Sequence, residues 1–352
     1  MNSLKVAVIG DRFMKSDFFV AALNAVLPDA KLELRKLDLD WPDVPMAHGY
    51  AAEAADPDLK GLREYLGDPR ETAAFIGDAE VLVTHLAPVT AGLLDACPKL
   101  KLIAVSRGGP VNIDMKAARS RSIQVVNAPG RNASAVAEFT IGMILAETRL
   151  ITQGHVALAR GEWRGDLYRA DRAGEELCNL TVGLIGYGHI GTRVVKLLQP
   201  FGCRILVVDP YVRLSSEDAA AGVQQLDLEE LLARSDVVSL HARVTPETEK
   251  MMNARSFALM KRGAYFINTA RGPMVDYGAL LAALESGHLR GAGLETFSIE
   301  PPPADWALLR RPDVTLTPHI AGASIQTVKY SATLCAEEVR RYVHGEPFVN
   351  PC

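Results

Sequence analysis

The stretch GLIGYGHIG at residues 183–191 decides the fold of this chain. It follows a strand-like apolar run and opens the helix-like stretch GTRVVKLLQPF. In that setting Gly186 permits a tight turn, Gly188 lets the backbone approach a pyrophosphate, and Gly191 lets helix and strand pack closely. A purely structural glycine turn is the alternative reading of the same residues. The spacing favours a dinucleotide-binding turn.

The next strand supports a dinucleotide. RILVVDP at residues 204–210 ends in Asp209, eighteen positions after Gly191, where a carboxylate can accept hydrogen bonds from the adenosine ribose. The same charge repels a 2′-phosphate, which predicts NAD in preference to NADP as the cofactor. Arg213 lies close enough to weaken that preference. Taken alone, Asp209 is equally consistent with a turn-forming residue before Pro210.

Short Val- and Ile-rich runs alternate with helical stretches on both sides of this turn. This alternation is typical of parallel sheets with crossover helices and predicts an α/β fold with two doubly wound domains. Residues 1–127 form a first α/β series, in which DLKGLREYL at 58–66 is expected to be helical. A long helix, capped by Asn132 or Ser134, starts the second series. We predict domains at 128–321 and at 1–127 joined by the returning tail 322–352.

Composition excludes several classes of protein. The chain has 352 residues, 48% of them hydrophobic, and a formal net charge of -4 without a basic block. Disorder and a nucleic-acid partner are therefore not expected. We expect no export signal, membrane span or metal site. The five cysteines are scattered without C-x-x-C spacing, which favours a reducing, cytoplasmic location.

Three ionisable residues follow strands of the second series, where ligands collect in open α/β sheets. Arg271 can hold a carboxylate and a neighbouring carbonyl oxygen in a two-point grip. His319 can exchange a proton with a hydroxyl near neutral pH, and Glu300 can fix its tautomer. Each residue alone is more often a surface or loop residue. Their joint position predicts hydride transfer to or from a 2-hydroxy acid.

The chain resembles the D-isomer-specific 2-hydroxyacid dehydrogenase family over nearly its whole length. The resemblance is carried by VNID at 111–114, NAPGRNASAVAEFT at 127–140, GLIGYGHIG at 183–191, INTARGPMVD at 267–276, GAGLETFSIEPP at 291–302 and TPHIAGAS at 317–324. It implies a Rossmann NAD-binding domain inserted in a flavodoxin-like substrate domain. It also implies an NAD-dependent dehydrogenase like the phosphoglycerate enzymes.

The resemblance further implies residue roles. Arg271 binds substrate, His319 is the general acid/base, and Glu300 is its partner. The implied NAD site contains the glycine turn, Asp209 and the following residues: His189, Ile190, His241, Thr269, Ala270, Arg271, Glu295 and His319. Glu295 stands where the family commonly has Asp, near the nicotinamide end of the cofactor. One extra methylene puts the geometry of that contact in doubt.

The predicted substrate loop reads SRGGPVNID at 106–114. In the family pattern Gly108 and Gly109 offer backbone N–H groups to the acid, and the loop is expected to face the catalytic residues across a cleft between the domains. Arg107 and His85 depart from the family and are candidate substrate residues. Our hypothesis is that Arg107 binds a second anionic or hydroxyl-rich group on a larger hydroxy acid. The alternative is that Arg107 is a solvated arginine.

Two other functions stay open. One is a formate- or phosphite-type dehydrogenase, although a formate enzyme is expected to carry Gln where Glu300 stands. The other is an NAD(H)-sensing protein similar to transcriptional corepressors. The helix from residue 132 and the segment 155–177 resemble the dimer arm of the family, which implies a homodimer. The substrate itself, a small 2-hydroxy or 2-oxo acid, is not specified further by the sequence.

Overall fold

The computed structural model describes residues 3–41 and 57–352. The chain divides into two compact units. The first combines Met1–Asn132 with Ala323–Cys352, and the second is Ala133–Gly322. The second unit is therefore an insertion in the sequence of the first.

Twelve strands are present in the described residues, and all the pairings between them are parallel. They are β1 (Leu4–Asp11), β2 (Leu32–Leu39), β3 (Val81–Thr84), β4 (Leu102–Val105), β5 (Gln124–Val126), β6 (Thr181–Ile185), β7 (Arg204–Val208), β8 (Gln224–Gln225), β9 (Val237–Leu240), β10 (Ala264–Asn268), β11 (Leu289–Leu294) and β12 (Val314–Leu316).

The described residues also form twelve α-helices. They are α1 (Ser16–Val26), α2 (Pro69–Ile76), α3 (Ala91–Ala96), α4 (Met115–Ser120), α5 (Ala133–Thr148), α6 (Ile151–Ala159), α7 (Gly191–Leu198), α8 (Ser216–Ala220), α9 (Leu228–Arg234), α10 (Ala254–Leu259), α11 (Tyr277–Glu285) and α12 (Ile325–His344). Within residues 3–41 and 57–352, none of them has the length and apolar character needed to cross a membrane.

The first unit contains a five-stranded sheet of order β2-β1-β3-β4-β5. This is the flavodoxin-like order, in which the chain reverses direction between β1 and β3 and leaves a crevice at their carboxyl ends. Strands β3 and β4 are buried at every position, as expected when helices cover both faces. The C-terminal helix α12 packs Val328, Ala332 and Val339 into the same core as Val6 and Phe19.

The second unit contains a seven-stranded sheet of order β12-β11-β10-β9-β6-β7-β8. Counted from β6, the strands run 3-2-1-4-5-6 with a seventh at the edge, which is the Rossmann order. The reversal lies between β6 and β9, and the glycine turn directly follows β6. The two sheets confirm the predicted α/β class and its doubly wound arrangement.

One local prediction is wrong. Residues 58–66 do not form an α-helix; a short 3₁₀ turn at Pro57–Leu59 is followed by a loop. Positive φ angles at Gly61 (86°) and Glu64 (51°) interrupt the helix. Backbone N–H groups of this loop donate instead to distant carbonyls, for example from Leu66 to Leu86. Tertiary pairing therefore overrides the local helix propensity.

The long helix predicted after residue 132 is present as α5, and a break separates it from the next helix. It starts at Ala133, which puts Asn132 directly before it and Ser134 inside its first turn. It ends at Thr148, and Leu150 adopts a left-handed conformation with a φ of 57° before α6 begins. The segment therefore consists of two helices rather than one.

Candidate active site

The glycine turn after β6 has the geometry that a phosphate group needs. Gly186 has a φ of 107°, and a Cβ placed on it would lie 2.7 Å from the carbonyl carbon and oxygen of His241. A Cβ on Gly191 would collide with the carbonyl oxygen of Gly186. By contrast, a Cβ on Gly188 would have nothing within 4 Å, so the backbone there borders open space. The next residue, His189, is exposed, and Ile190 is half-buried.

Asp209 is held in place at the end of β7. One carboxylate oxygen accepts the N–H of Tyr187 at 2.8 Å, and the other accepts those of Tyr211 and Val212 at 2.9 Å each. Burial disfavours the charged carboxylate, but the three N–H groups outweigh it and lower the pKa of Asp209. Asp209 is therefore ionised at neutral pH and is connected directly to the glycine turn.

Tyr187 lies inside the glycine turn and holds the turn in place, a role that the sequence did not indicate. Its ring is buried and its hydroxyl donates to the buried Asp218 on α8. The other oxygen of Asp218 accepts from Gln199 at 2.9 Å. The turn is thus connected through one side chain to α8 and through its backbone to Asp209. The spacing of the glycines carries no signal for this contact, because Asp218 lies 31 residues further along the chain.

His241, Thr269 and Ala270 follow β9 and β10 and lie at the carboxyl edge of the same sheet. His241 contacts the Ser239 hydroxyl through Nε2 at 3.0 Å, while its buried Nδ1 has no hydrogen-bond partner among the described residues. Burial lowers the pKa of His241 to about 3, so the ring is neutral. Thr269 contacts Thr140 on α5 through their hydroxyls at 2.8 Å.

These features fit a bound dinucleotide. The open backbone at Gly188, the ionised Asp209 and the Nδ1 of His241 would meet a pyrophosphate, a ribose and a further polar group of a cofactor, respectively. A buried polar atom without a protein partner is costly unless a ligand or water satisfies it. The residues present are therefore suited to NAD.

His319 and Glu300 form a close pair in the second unit. Nδ1 of His319 lies 2.7 Å from Oε2 of Glu300, and Oε1 of Glu300 accepts the N–H of Phe297 at 2.7 Å. The His319 side chain is 21% exposed and the Glu300 side chain 9%. Glu300 is therefore oriented by the backbone and in turn orients the imidazole ring.

The backbone of His319 is also constrained. Its φ is 54°, and its N–H donates to the carbonyl oxygen of Glu295 at 3.0 Å. A left-handed conformation is uncommon for a residue with a side chain and occurs more often where structure is dictated by function. Here it turns the chain after β12 towards the loop that carries Glu295.

Arg271 lies three residues after the end of β10, and it is exposed. Its Nη1 donates to the carbonyl oxygen of Ala270 at 2.7 Å, and its own carbonyl oxygen accepts from the Asn268 side chain at 3.3 Å. The following Gly272 packs directly against the backbone of Phe297, where a Cβ would collide. The loop of Arg271 and the loop leading to Glu300 are therefore neighbours.

Glu295 lies near the pair of His319 and Glu300 and is almost completely buried. Its Oε1 accepts the N–H of Ala321 at 2.6 Å, two residues after His319. Burial raises the pKa of Glu295 to about 7, although the nearby His319 acts in the opposite direction. Glu295 therefore holds the backbone at Ala321 through its carboxyl group and at His319 through its carbonyl oxygen, a role the sequence did not indicate.

The sequence also predicted substrate residues other than Arg271, and these lie in the first unit. His85 follows β3 and is buried between Asp11 and Arg131, with Nδ1 2.6 Å from Oδ2 of Asp11 and Nε2 3.2 Å from Nη2 of Arg131. Arg107 follows β4 and forms an ion pair with Glu64. A Cβ on Gly108 or Gly109 would have nothing within 4 Å.

Asp11 and Arg131 were not singled out in the sequence. Asp11 is the last residue of β1, and Arg131 follows β5 inside the stretch NAPGRNASAVAEFT. The position of Asp11 at a strand end was a usable signal, since polar residues at carboxyl ends of parallel strands gather at one edge. Nothing in the sequence pairs Arg131 with His85, because 46 positions separate them.

Comparison with known proteins identifies the family of the chain. The family model for the D-isomer specific 2-hydroxyacid dehydrogenase NAD binding domain matches residues 141–321. A glyoxylate reductase of Thermofilum pendens is 39% identical over 295 residues, which cover 84% of this chain and 87% of that protein. A D-3-phosphoglycerate dehydrogenase of Methanocaldococcus jannaschii is 38% identical over 77% of this chain, which spans about half (51%) of that protein.

Solved structures give the same result. The TT0316 protein from Thermus thermophilus superposes with a TM-score of 0.76 at 30% identity, over 98% of this chain and 99% of that one. A D-2-hydroxyisocaproate dehydrogenase superposes with a TM-score of 0.79 at 25% identity, over 99% of each chain. The chain therefore belongs to the D-isomer specific 2-hydroxyacid dehydrogenase family of NAD-dependent oxidoreductases, and its second unit contains the NAD-binding domain of that family.

Proposed function

We propose that this chain interconverts a small 2-oxo acid and the corresponding D-2-hydroxy acid, with His319 as the general acid/base. The observation that carries the proposal is the pair formed by His319 and Glu300 at 2.7 Å. When the Nδ1–H group of His319 donates a hydrogen bond to Glu300, Nε2 is left to exchange a proton with the substrate oxygen. NAD, when bound by the second unit, would supply the group that accepts or returns the hydride.

Arg271 holds the substrate acid in this proposal. A guanidinium offers two parallel N–H groups that match a carboxylate, and the side chain of Arg271 is exposed next to the loop of Glu300. Glu295 keeps the backbone around His319 in place through its contact with Ala321. His241, whose ring is neutral, contributes a polar contact without adding charge.

In the first unit, the backbone N–H groups of Gly108 and Gly109 are proposed donors to the acid. Both glycines border open space, which allows a ligand close to the backbone. Arg107 stays a predicted substrate residue, but it would have to exchange its ion pair with Glu64 for an anionic group of the ligand. His85, also predicted there, has both ring nitrogens engaged by Asp11 and Arg131.

The test is steady-state reduction of glyoxylate, hydroxypyruvate, pyruvate and sugar-derived 2-oxo acids, each with NADH and with NADPH. We expect turnover of at least one of these acids, with NADH preferred because the ionised Asp209 repels a 2′-phosphate. Tight NADH binding without turnover of any acid would instead support an NAD(H)-sensing protein. Oxidation of formate or phosphite, assayed in parallel, would support the other alternative.

We also propose a homodimer that forms through the arm after α5. Large apolar side chains are exposed there: Ile151, Leu158, Trp163 (86%) and Tyr168 (95%). Such side chains at high exposure indicate a covered surface in the assembled protein. Light scattering at micromolar concentration is expected to give twice the chain mass of 38.1 kDa. A single species of 38.1 kDa would contradict the dimer, and Trp163→Asp is expected to shift the population towards it.

A cytoplasmic location remains a proposal. All five cysteines are free thiols in the structure, which is the state expected in a reducing compartment.

A further inference from the structure

We propose that Arg243 is a cofactor-specificity residue that binds the 2′-phosphate of NADP(H), so that this chain accepts NADPH beside the preferred NADH. The inference rests on the proposed function for the use made of the cofactor, and it concerns the adenosine end of the cofactor site in the second unit. The sequence attributed a weakened preference for NAD to Arg213. The contacts in the second unit favour Arg243 for this role.

The loop after β9 packs directly on the glycine turn. A Cβ on Gly186 would lie 2.7 Å from the carbonyl carbon of His241 and 2.8 Å from the backbone nitrogen of Ala242. The N–H of His241 also donates to the carbonyl oxygen of Ile185, the last residue of β6, at 2.7 Å. Arg243 is the next residue along this loop, so its side chain starts beside the turn that would hold the pyrophosphate.

The backbone of Arg243 is held by the turn that follows it. Its carbonyl oxygen accepts the hydroxyl group of Thr248 at 2.6 Å, and the same hydroxyl oxygen accepts the N–H of Thr245 at 2.8 Å. Arg243 is exposed, and its guanidinium makes no hydrogen bond or ion pair within residues 3–41 and 57–352. The N–H groups of a well-placed guanidinium are therefore available to a ligand.

The charge of Arg243 acts on Asp209 at the end of β7. Burial raises the pKa of Asp209, but the three backbone N–H groups lower it and the charge of Arg243 lowers it further, so that the net shift is downward. No ion pair of 4.0 Å or less joins the two side chains. Arg243 is thus near enough to act on a ribose held at Asp209, and its own N–H groups are not consumed by the carboxylate.

Asp209 and Arg243 favour different groups at the ribose 2′ position. A carboxylate offers about four acceptor positions. Three of those of Asp209 are filled by the backbone N–H groups of Tyr187, Tyr211 and Val212. The remaining position on Oδ2 suits a ribose hydroxyl and repels a phosphate, whereas a guanidinium binds phosphate through parallel N–H groups. Together the two side chains favour NADH and still accept NADPH.

Arg213 lies on the other side of β7. The N–H of Leu214 donates to Oε1 of Gln225 at 3.0 Å, and Nε2 of Gln225 donates to the carbonyl oxygen of Asp209 at 2.9 Å. Gln225 belongs to β8, which lies beyond β7 at the edge of the sheet. These contacts hold the chain around Arg213 on the side away from β6, whereas Arg243 belongs to the loop that packs on the glycine turn.

The test measures dissociation constants of the full chain for NADH and NADPH by fluorescence, and for 5′-AMP and adenosine 2′,5′-bisphosphate by competition. The two members of each pair differ only in the 2′-phosphate. Arg243→Met is expected to weaken binding of NADPH and of the bisphosphate by about 5- to 30-fold, because a charge-assisted contact with phosphate is lost. Binding of NADH and 5′-AMP is expected to change by less than about twofold.

Three further variants sharpen the comparison. Arg243→Lys keeps the charge without the planar fork and is expected to retain part of the NADPH binding. Arg262→Met removes the same charge before β10, at the opposite edge of the sheet, and is expected to leave both dissociation constants unchanged. Arg213→Met is expected to weaken NADPH binding less than Arg243→Met does. Thermal unfolding reports whether each variant is folded.

The outcomes separate this inference from the proposed function, because cofactor binding is measured without a 2-oxo acid. If Arg243→Met selectively loses NADPH binding but the wild type reduces no 2-oxo acid, the role of Arg243 stands and the proposed function fails. A wild-type dissociation constant for NADPH more than about 1,000-fold above that for NADH would overturn the role of Arg243. Equal losses for both cofactors, a loss of NADPH binding below about twofold, or a larger loss in Arg213→Met would also overturn it.

Discussion

Replacement of His319 by alanine is expected to lower kcat by about 10²- to 10⁴-fold, the usual contribution of a positioned general acid/base. The imidazole is the proposed proton-exchanging group of the His319–Glu300 pair, and alanine removes its hydrogen bond to Oε2 of Glu300. We expect the dissociation constant of NADH to stay within a few-fold of wild type. Single-turnover reduction of glyoxylate separates this loss from a change in substrate binding.

His344→Ala is the matched control for this prediction. His344 is exposed at the end of α12 in the first unit, so its loss removes an imidazole without touching the pair. Near-normal turnover of His319→Ala would falsify the assignment of the general acid/base. A parallel loss of NADH binding would instead indicate that alanine disturbs the loop around Glu295, whose carbonyl oxygen accepts the N–H of His319.

The second large effect is expected for Arg271. Arg271→Met removes two charge-assisted hydrogen bonds to the substrate acid, which lowers kcat/KM by about 10²- to 10⁴-fold. Arg271→Lys keeps the positive charge but not the planar grip, so we expect a smaller loss that falls mainly on KM. The measurement is kcat/KM for glyoxylate, with NADH binding followed separately.

Arg262→Met provides the control, because Arg262 is an exposed arginine of the same unit that precedes β10 rather than following it. If Arg271→Met changed NADH binding as strongly as kcat/KM, Arg271 would be a cofactor residue rather than the substrate grip. A loss of less than tenfold in kcat/KM would contradict its role in holding the acid.

Much of the second unit could be predicted because its signals are local. The turn at Gly186 requires a backbone conformation that favours glycine, so the glycine itself indicates the position of the turn. The strand-end positions of Arg271, Glu300 and His319 could be predicted for a similar reason. Buried parallel strands are continuous apolar runs, and the first polar residues after them lie at one edge of the sheet.

Other features depend on contacts between distant segments. The helix expected at residues 58–66 is absent because Leu66 and its neighbours donate their hydrogen bonds to remote carbonyls. The anchoring of Tyr187 by Asp218 was not visible, since neither residue type is required by the glycine pattern. The contact of Arg131 with His85 was not visible either, because 46 positions separate the two residues.

The sequence by itself indicated the alternation of strands and helices, the glycine turn and the candidate set Arg271, Glu300 and His319, because each depends on residue type within a short segment. Only the tertiary structure decided which side chains are paired. The pairing of Arg107 with Glu64, and that of His85 with both Asp11 and Arg131, are contacts between distant segments that the sequence did not indicate. The charge, tautomer and orientation of each group depend on its neighbours in space, and these are chosen by packing rather than by local sequence.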